Sequence, residues 1–449
     1  MSAGPILEPA IEAVAGDASL PARVDVAVIG GGIVGTAAAY YLAARGLAVA
    51  LLEKGRVGGE QSGRNWGWCR QQNRDLRELP LMVASMRLWD ELGRQTGRDL
   101  GFQRSGLVYV TRDAGELAGW EAWIAQARPH QVGSRVIGPA EARALTPGNE
   151  QDWIGGVHSP RDGRAEPWIA APALAAAARD RGVTLLQNCA VRGLDMVAGR
   201  VRGVVTERGR IAADAVLCAA GAWASMFCRR HDLDLPQAGV RSTIFRTAPA
   251  AGVTPGGLVT PEFTLTRCPD GGYIVAAQDR GRLDITPQGL RYTRQFWPMF
   301  RSRRQSLRMG IGRSFFAGPA ALAGRWSLDA ATPFERHREF APPPDTTIVA
   351  PALARVAAAY PALAGLRAAR VWGGWIDSTP DAVPVISVVD RLPGFYVAAG
   401  FSGHGFGVGP GAGRLAADLV TGDAPLVDPA PFRYARLVDG SPLAPPGMM

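Results

Sequence analysis

Lysine is almost missing from this chain. Of 49 basic residues one, Lys54, is a lysine, and the rest are arginines set against 40 acids. The resulting net charge of +9 is scattered, which argues against a nucleic-acid partner, whose electrostatic footprint is a clustered basic face. One stretch departs from the scatter: residues 291–326 hold many arginines and no acid. Its arginines belong either to the solvent face of an amphipathic helix or to a docking surface for an acidic substrate or an electron-accepting protein. Cysteine is also scarce. Cys69, Cys189, Cys218, Cys228 and Cys268 are odd in number and lack Cys-x-x-Cys spacing, and the five histidines are isolated. Disulfide frameworks, zinc sites and iron–sulfur clusters are thereby disfavoured. No apolar run reaches the roughly 18 residues of a membrane span. The first two dozen residues lack the basic start and apolar core of a secretory signal, so they read as a polar lead-in and the expected location is the cytoplasm.

What is present begins at Val24. A short β-branched run, VDVAVIG, passes into GGGIVG, then into the alanine-rich TAAAYYLAARG and a second apolar run ending at Glu53. Strand, glycine turn, helix, strand and acid form one βαβ unit. Gly30 permits the tight turn, Gly32 lets a pyrophosphate approach the backbone, and Gly35 lets helix and strand pack closely. The amides of Ile33 and Val34 open the helix, where unpaired N–H groups and the dipole favour a phosphate. Glu53, about twenty residues on, suits ribose hydroxyls and repels a 2′-phosphate, with Lys54 beside it. These features specify a dinucleotide without choosing between FAD and NAD.

Further apolar strands are expected at 203–205, 215–220 and 395–399, in an α/β layer. Alternating patterns at 100–112 and 240–285 predict an antiparallel sheet. The expected architecture is α/β (α+β overall): a Rossmann-like dinucleotide-binding domain in three parts (24–99, 151–239 and 345–430) with an inserted antiparallel-sheet substrate domain in two (100–150 and 240–344).

The order GGGIVG, QSGRNWGW (61–68), LCAAGAW (217–223), WGGWIDSTPDAVP (372–384) and FYVAAGFSGHGFGVGPGAG (395–413) resembles the D-amino-acid oxidase and sarcosine oxidase superfamily of FAD-dependent amine oxidoreductases. Within it, SGRN and WGGxID are most similar to the γ-glutamylputrescine oxidase and opine-oxidising branches. The resemblance implies that Gln61, Ser62, Arg64, Asn65 and Trp66 lie against the flavin ring. It implies that the backbone of Val191 meets adenine, and that Gly221 and Trp223 lie beneath the dinucleotide, with Gly373 in the tail motif. Gly400, Ser402, Gly403, His404 and Gly405 would open a last helix whose N-terminus faces the flavin pyrimidine. His404 is the candidate base, and Trp66 and Trp375 are the aromatic candidates at the reacting centre. Trp66, Trp68, Trp375 and Phe401 form either an aromatic cage or ordinary core. No cysteine or histidine stands at the positions that tether flavin in some relatives, so non-covalent FAD is implied.

The implied reaction is oxidation of the C–N bond of a small amine or opine-like N-substituted amino acid by hydride transfer, giving an imine that hydrolyses. The alternatives are a flavin subunit of an electron-transferring complex, or a flavoprotein acting on a non-amine or macromolecular substrate. Relatives that oxidise amino acids carry an arginine where this chain reads Trp375-Ile376-Asp377. Arg64, Arg241, Arg246 and Arg267 are the alternative carboxylate partners. The lysine that some oxygen-using relatives hold over the flavin is missing from 271–278, which leaves oxygen, a quinone or a partner protein as electron acceptor.

Overall fold

The computed structural model describes residues 5–254, 256–277, 281–304, 307–323 and 325–443. The first strand, β1 (Arg23–Ile29), leads through the glycine turn to α1 (Ile33–Ala43) and then β2 (Val49–Leu52). β1 pairs in parallel with β2 on one side and with Gly209–Cys218 on the other. Val26 and Val28 face one apolar core while Ala27 and Ile29 face another. Burial on both faces is why this strand reads as a continuous apolar run. The sheet runs Val385–Val388, Phe395–Ala399, Gly209–Cys218, β1, β2, Thr184–Leu186, with Val191–Val197 and Arg200–Thr206 added as antiparallel strands beside Gly209–Cys218.

The last helix, Gly405–Thr421, has glycine at 405, 407, 409, 411 and 413. Glycine inside a helix costs roughly 0.5–1 kcal/mol relative to alanine, so close packing must require it. A Cβ on Gly413 would stand 2.6 Å from the Ala37 Cβ of α1, and one on Gly409 would stand 2.7 Å from Ile33. On the opposite side, a Cβ on Gly411 would meet Ser85 at 2.9 Å and one on Gly407 the Trp68 carbonyl at 2.8 Å. The helix is thus pressed between α1 and the helix Leu79–Thr96. Trp89 Nε1 and Ser85 Oγ both donate to the Gly407 carbonyl at 2.8 Å, and the Gly411 amide donates to Ser85 Oγ at 3.1 Å. Side chains therefore replace intrahelical bonds beside Pro410.

A second, ten-stranded sheet is mostly antiparallel, as the alternating pattern predicts, with two parallel pairings, 107–109 with 257–259 and 281–284 with 307–310. In the first alternating stretch only Leu107–Thr111 is a strand. Two elements depart from the expected domain limits. Gly155–Ser159 and Ala368–Ser378, expected in the nucleotide-binding parts 151–239 and 345–430, run in this second sheet; the latter pairs with Ala238–Thr247 from one end to the other.

The lead-in is a strap rather than a loose tail. Ile6 bridges Val371, the Glu8 carboxylate pairs with the buried Arg64, and Asp17 accepts from the Leu185 amide at 2.8 Å. Among the described residues no helix is long and apolar enough to cross a membrane.

Candidate functional site

The β1–α1 turn, the 58–66 loop and the start of the last helix enclose one cavity, bounded on its remaining side by Trp375 of the second sheet. Most residues expected at the cofactor line it: Gly30, Gly32, Ile33 and Val34 from the turn, then Glu53 and Lys54. Gln61, Ser62, Arg64, Asn65 and Trp66 come from the loop, Val191, Gly221 and Trp223 from the first sheet's margin, and Trp375, Gly403, His404 and Gly405 from the far wall.

Four expected residues stand behind the wall instead. Gly35 packs α1 on β1, where a Cβ would come 1.9 Å from the Gly30 carbonyl. Gly373 lies against Pro342, again at 1.9 Å. Gly400, with φ +78°, turns its amide onto Asp377 at 3.1 Å, and Ser402 Oγ accepts from the Thr379 amide. These four shape the backbone that others present.

Several lining residues are held by partners of their own. Each Glu53 oxygen accepts one backbone amide, Gly31 and Gly55, both at 2.7 Å, and keeps a second lone pair for a ligand hydroxyl. Burial raises the Glu53 pKa, against the pull of Lys54 and these amides. The Lys54 ammonium donates to Glu60 at 2.5 Å and to the carbonyls of His337 and Arg338, and sits 4.5 Å over the Trp223 ring. It braces the wall rather than reaching for a ligand. Asn65 staples its loop by donating to the carbonyls of Gln61 and Ser62 and accepting from the Gly67 amide. Arg64 Nε donates to the Gly59 carbonyl at 3.1 Å. Ser62 Oγ accepts from the Ile33 amide at 2.9 Å, capping the helix start where phosphate oxygens would compete for it.

At the opening of the last helix, His404 is buried, and that burial followed by the Arg74 charge pulls its pKa down to about 4. The imidazole is therefore neutral at pH 7. Its Nδ1 stands 3.5 Å from Glu78 Oε2, and Glu78 Oε1 lies 3.5 Å from the Arg74 guanidinium. Burial works to raise the Glu78 pKa, but Arg74 and His404 outweigh it and hold the carboxyl below its ordinary value. Arg74, itself brought down to about 10 by burial, lines the cavity together with Arg70. Sequence reasoning missed both. The signal was an arginine at i and i+4 just after the flavin loop, with nothing local to mark them.

The four arginines chosen from the sequence are committed elsewhere. Arg64 pairs with Glu8, Arg241 with Asp284 at 3.4 Å and Arg246 with Asp270 at 2.6 Å, and Arg267 donates to the carbonyls of Ala250 and Ala251. Asp377, in the tail motif, is buried and accepts from Gln61 Nε2 and Gln237 Nε2, both at 2.6 Å.

The donor set fits FAD. Gly32 leaves open space where a diphosphate would rest: a Cβ there would meet only Ser62 Oγ, at 3.1 Å. Glu53 offers free lone pairs for a ribose, and the 17-residue last helix aims its N-terminus at the same cavity. Such a terminus carries partial positive charge suited to an anionic ring.

Comparisons with known proteins agree. The family model described as "DAO: FAD dependent oxidoreductase" matches residues 25–419. Human mitochondrial sarcosine dehydrogenase is 32% identical over 228 residues, which cover 48% of this chain and 24% of that longer protein. Sarcosine oxidase subunit beta of an Arthrobacter species is 24% identical over 93% of this chain and 91% of its own length. The structure of L-amino acid deaminase from Proteus myxofaciens, solved in complex with anthranilate, superposes with a TM-score of 0.88 and 29% identity, covering 97% of each chain. The chain belongs to the DAO family of FAD-dependent oxidoreductases, and FAD is its cofactor.

Proposed function

We propose that the chain oxidises the C–N bond of a small amine or N-substituted amino acid that carries a carboxylate, and that Arg70 receives that carboxylate. One observation carries the reading. Arg70 lines the cavity, one of its guanidinium nitrogens donating to the Gln72 carbonyl, and among the described residues no carboxylate forms an ion pair with it. The missing family arginine at 375–377 is thus replaced from the other side of the flavin loop. Arg74 adds positive charge, and Trp66, Trp68, Trp375 and Phe401, all lining the cavity, exclude water around the carbon to be oxidised. The deaminase solved with anthranilate, itself an aminobenzoate, supports an acid-bearing ligand for this architecture.

FAD, when bound, supplies the hydride acceptor. The chain's own residues bind and orient the amine, and His404, neutral and with its Nδ1 3.5 Å from Glu78, can accept a hydrogen bond from the substrate nitrogen. Attachment is non-covalent in this reading, since no cysteine among the described residues lines the cavity. All five cysteines are free and buried, which fits the reducing cytoplasm. The acceptor is a quinone or a protein partner, supported by Lys54, the chain's only lysine, being tied to Glu60 and two carbonyls.

Arg70→Gln tests the assignment. A charge-assisted bond worth about 2 kcal/mol corresponds to a KM rise of about thirtyfold for an acid-bearing amine, with kcat little changed. The same amine without its carboxylate should be indifferent to the change. An unaltered KM for the acid would remove Arg70 from the site.

A further inference from the structure

The segment that follows the second sheet's Gly281–Asp284 strand is absorbed by none of this. Helices Pro287–Arg291 and Thr293–Arg303, the edge strand Leu307–Gly310 and the turn Arg313–Phe315 form one outlying layer. The Ile285 amide donates to the Gly310 carbonyl at 2.8 Å and the Gln288 amide to the Ala320 carbonyl at 3.2 Å, so the first helix begins between the strand and the 313–323 turn. Residues 305, 306 and 324 of the arginine-rich stretch lie outside the described residues.

This layer puts large apolar side chains into solvent. Leu290, Trp297, Met309, Ile311, Phe316 and Leu322 are among thirteen exposed large hydrophobics in the described chain, and Leu322 and Phe316, at 82% and 80%, are the most exposed of all. A scattered exposed leucine needs no explanation, whereas a concentration of this kind marks an interaction surface.

The helix Thr293–Arg303 shows how the surface is built. Tyr292 and Phe296 are buried, and the turns opposite present Arg294, Trp297 and Arg301, spaced three and four residues apart, with Arg304 next in the series. Trp297 is 55% exposed, and its ring lies 5.8 Å from Phe300. Arg294, Arg301, Arg304, Arg308 and Arg313 are exposed and have no acidic partner among the described residues. Arg291 and Arg325, at the margin, pair with Asp234 and Asp232.

We propose that this face docks the protein on an anionic lipid bilayer. Arginine forks match headgroup phosphates, and aromatic and leucine side chains enter the boundary between headgroups and acyl chains. A second copy of the chain is disfavoured as the occupant, because a two-fold contact would set this acid-free arginine face against itself. The layer is rooted at the flavin cavity: Ala320 packs with Trp375, and Gln288 Nε2 donates to the carbonyl of Gln237, whose side chain holds Asp377. The proposal stands apart from the identity of the amine, and its test does not read amine turnover.

Flotation of the full-length, FAD-loaded protein decides it, with vesicles of phosphatidylcholine alone and of phosphatidylcholine mixed with phosphatidylglycerol. The protein should float with the mixed vesicles and bind the neutral ones at least about tenfold more weakly. Two variants, one joining Trp297→Ser, Phe316→Ser and Leu322→Ser and one joining Arg294→Gln, Arg301→Gln and Arg304→Gln, should each lose binding about tenfold at unchanged flavin content. A wild-type protein that stays at the bottom with the mixed vesicles would overturn the proposal. So would binding that the aromatic variant leaves intact, or a concentration-dependent dimer that the same variants abolish. Should a variant fold poorly, the wild-type comparison of the two vesicle types still decides.

Discussion

Gly32→Val should give a folded protein that no longer takes up FAD. Gly32 sits at φ −75° and ψ 177°, extended backbone that any residue can adopt, and its added Cβ meets nothing nearer than Ser62 Oγ at 3.1 Å. Valine at this helix cap costs the protein about 1 kcal/mol or less relative to glycine. The rest of the side chain projects into the cavity between Ile33 and Ser62, where the diphosphate must approach the amides at the start of α1. Affinity should fall at least about a hundredfold, or roughly 3 kcal/mol. Flavin fluorescence titration of the apoprotein measures this, and the melting temperature of the apoprotein should stay near that of wild type. Gly35→Ala makes the contrasting control. Its Cβ would press to 1.9 Å from the Gly30 carbonyl, so it should lower the stability of the apoprotein itself. If Gly32→Val bound FAD normally, the turn would have no part in cofactor binding.

Asp377→Ala should damage both stability and cofactor binding. Its carboxylate accepts from Gln61 of the flavin loop, from Gln237, and from the Gly400 amide at 3.1 Å ahead of the last helix. Gln61 in turn accepts from the Ala222 amide and Gln237 from the Ser225 amide. One buried group thus fastens the flavin loop to two segments behind the cavity wall. Burial pushes its pKa up, and these donors oppose that shift. Removing the acceptor leaves buried donors unpaired, at about 1–3 kcal/mol each, so a loss of about 3–5 kcal/mol in total is expected. Denaturant unfolding of the apoprotein reads the stability term, and FAD titration reads the loosening of the Gln61 loop. A change below about 1 kcal/mol would mean that the three segments hold their places without this carboxylate.

Local spacing made part of this site readable. The β1–α1–β2 unit carries its own register within about thirty residues, because turn, helix and acid must follow one another to hold a dinucleotide. The glycine-rich run before Thr421 was equally plain, though the contacts that demand its alternation, with Ala37 on one side and Ser85 on the other, are tertiary. Arg70 and Arg74 carried no such signal. Arg74 pairs with Glu78 four residues on, but only the fold sets that pair against His404 at the opening of the last helix and brings Arg70 to the cavity. The arginines chosen instead are each satisfied by a partner far along the chain, such as Glu8 for Arg64, which no periodicity reveals. The strap formed by residues 5–17 was opaque for the same reason: its backbone pairs with Val371 and Leu185, and its own composition is that of an ordinary polar tail.

Anaerobic mixing of the FAD-loaded protein with a series of small amines, matched with and without a carboxylate, tests the whole reading most directly. The yellow colour of the oxidised flavin should bleach with an acid-bearing amine at concentrations where the amine without the acid leaves it unchanged. A flavin that dithionite bleaches but no amine in the series touches would contradict the account.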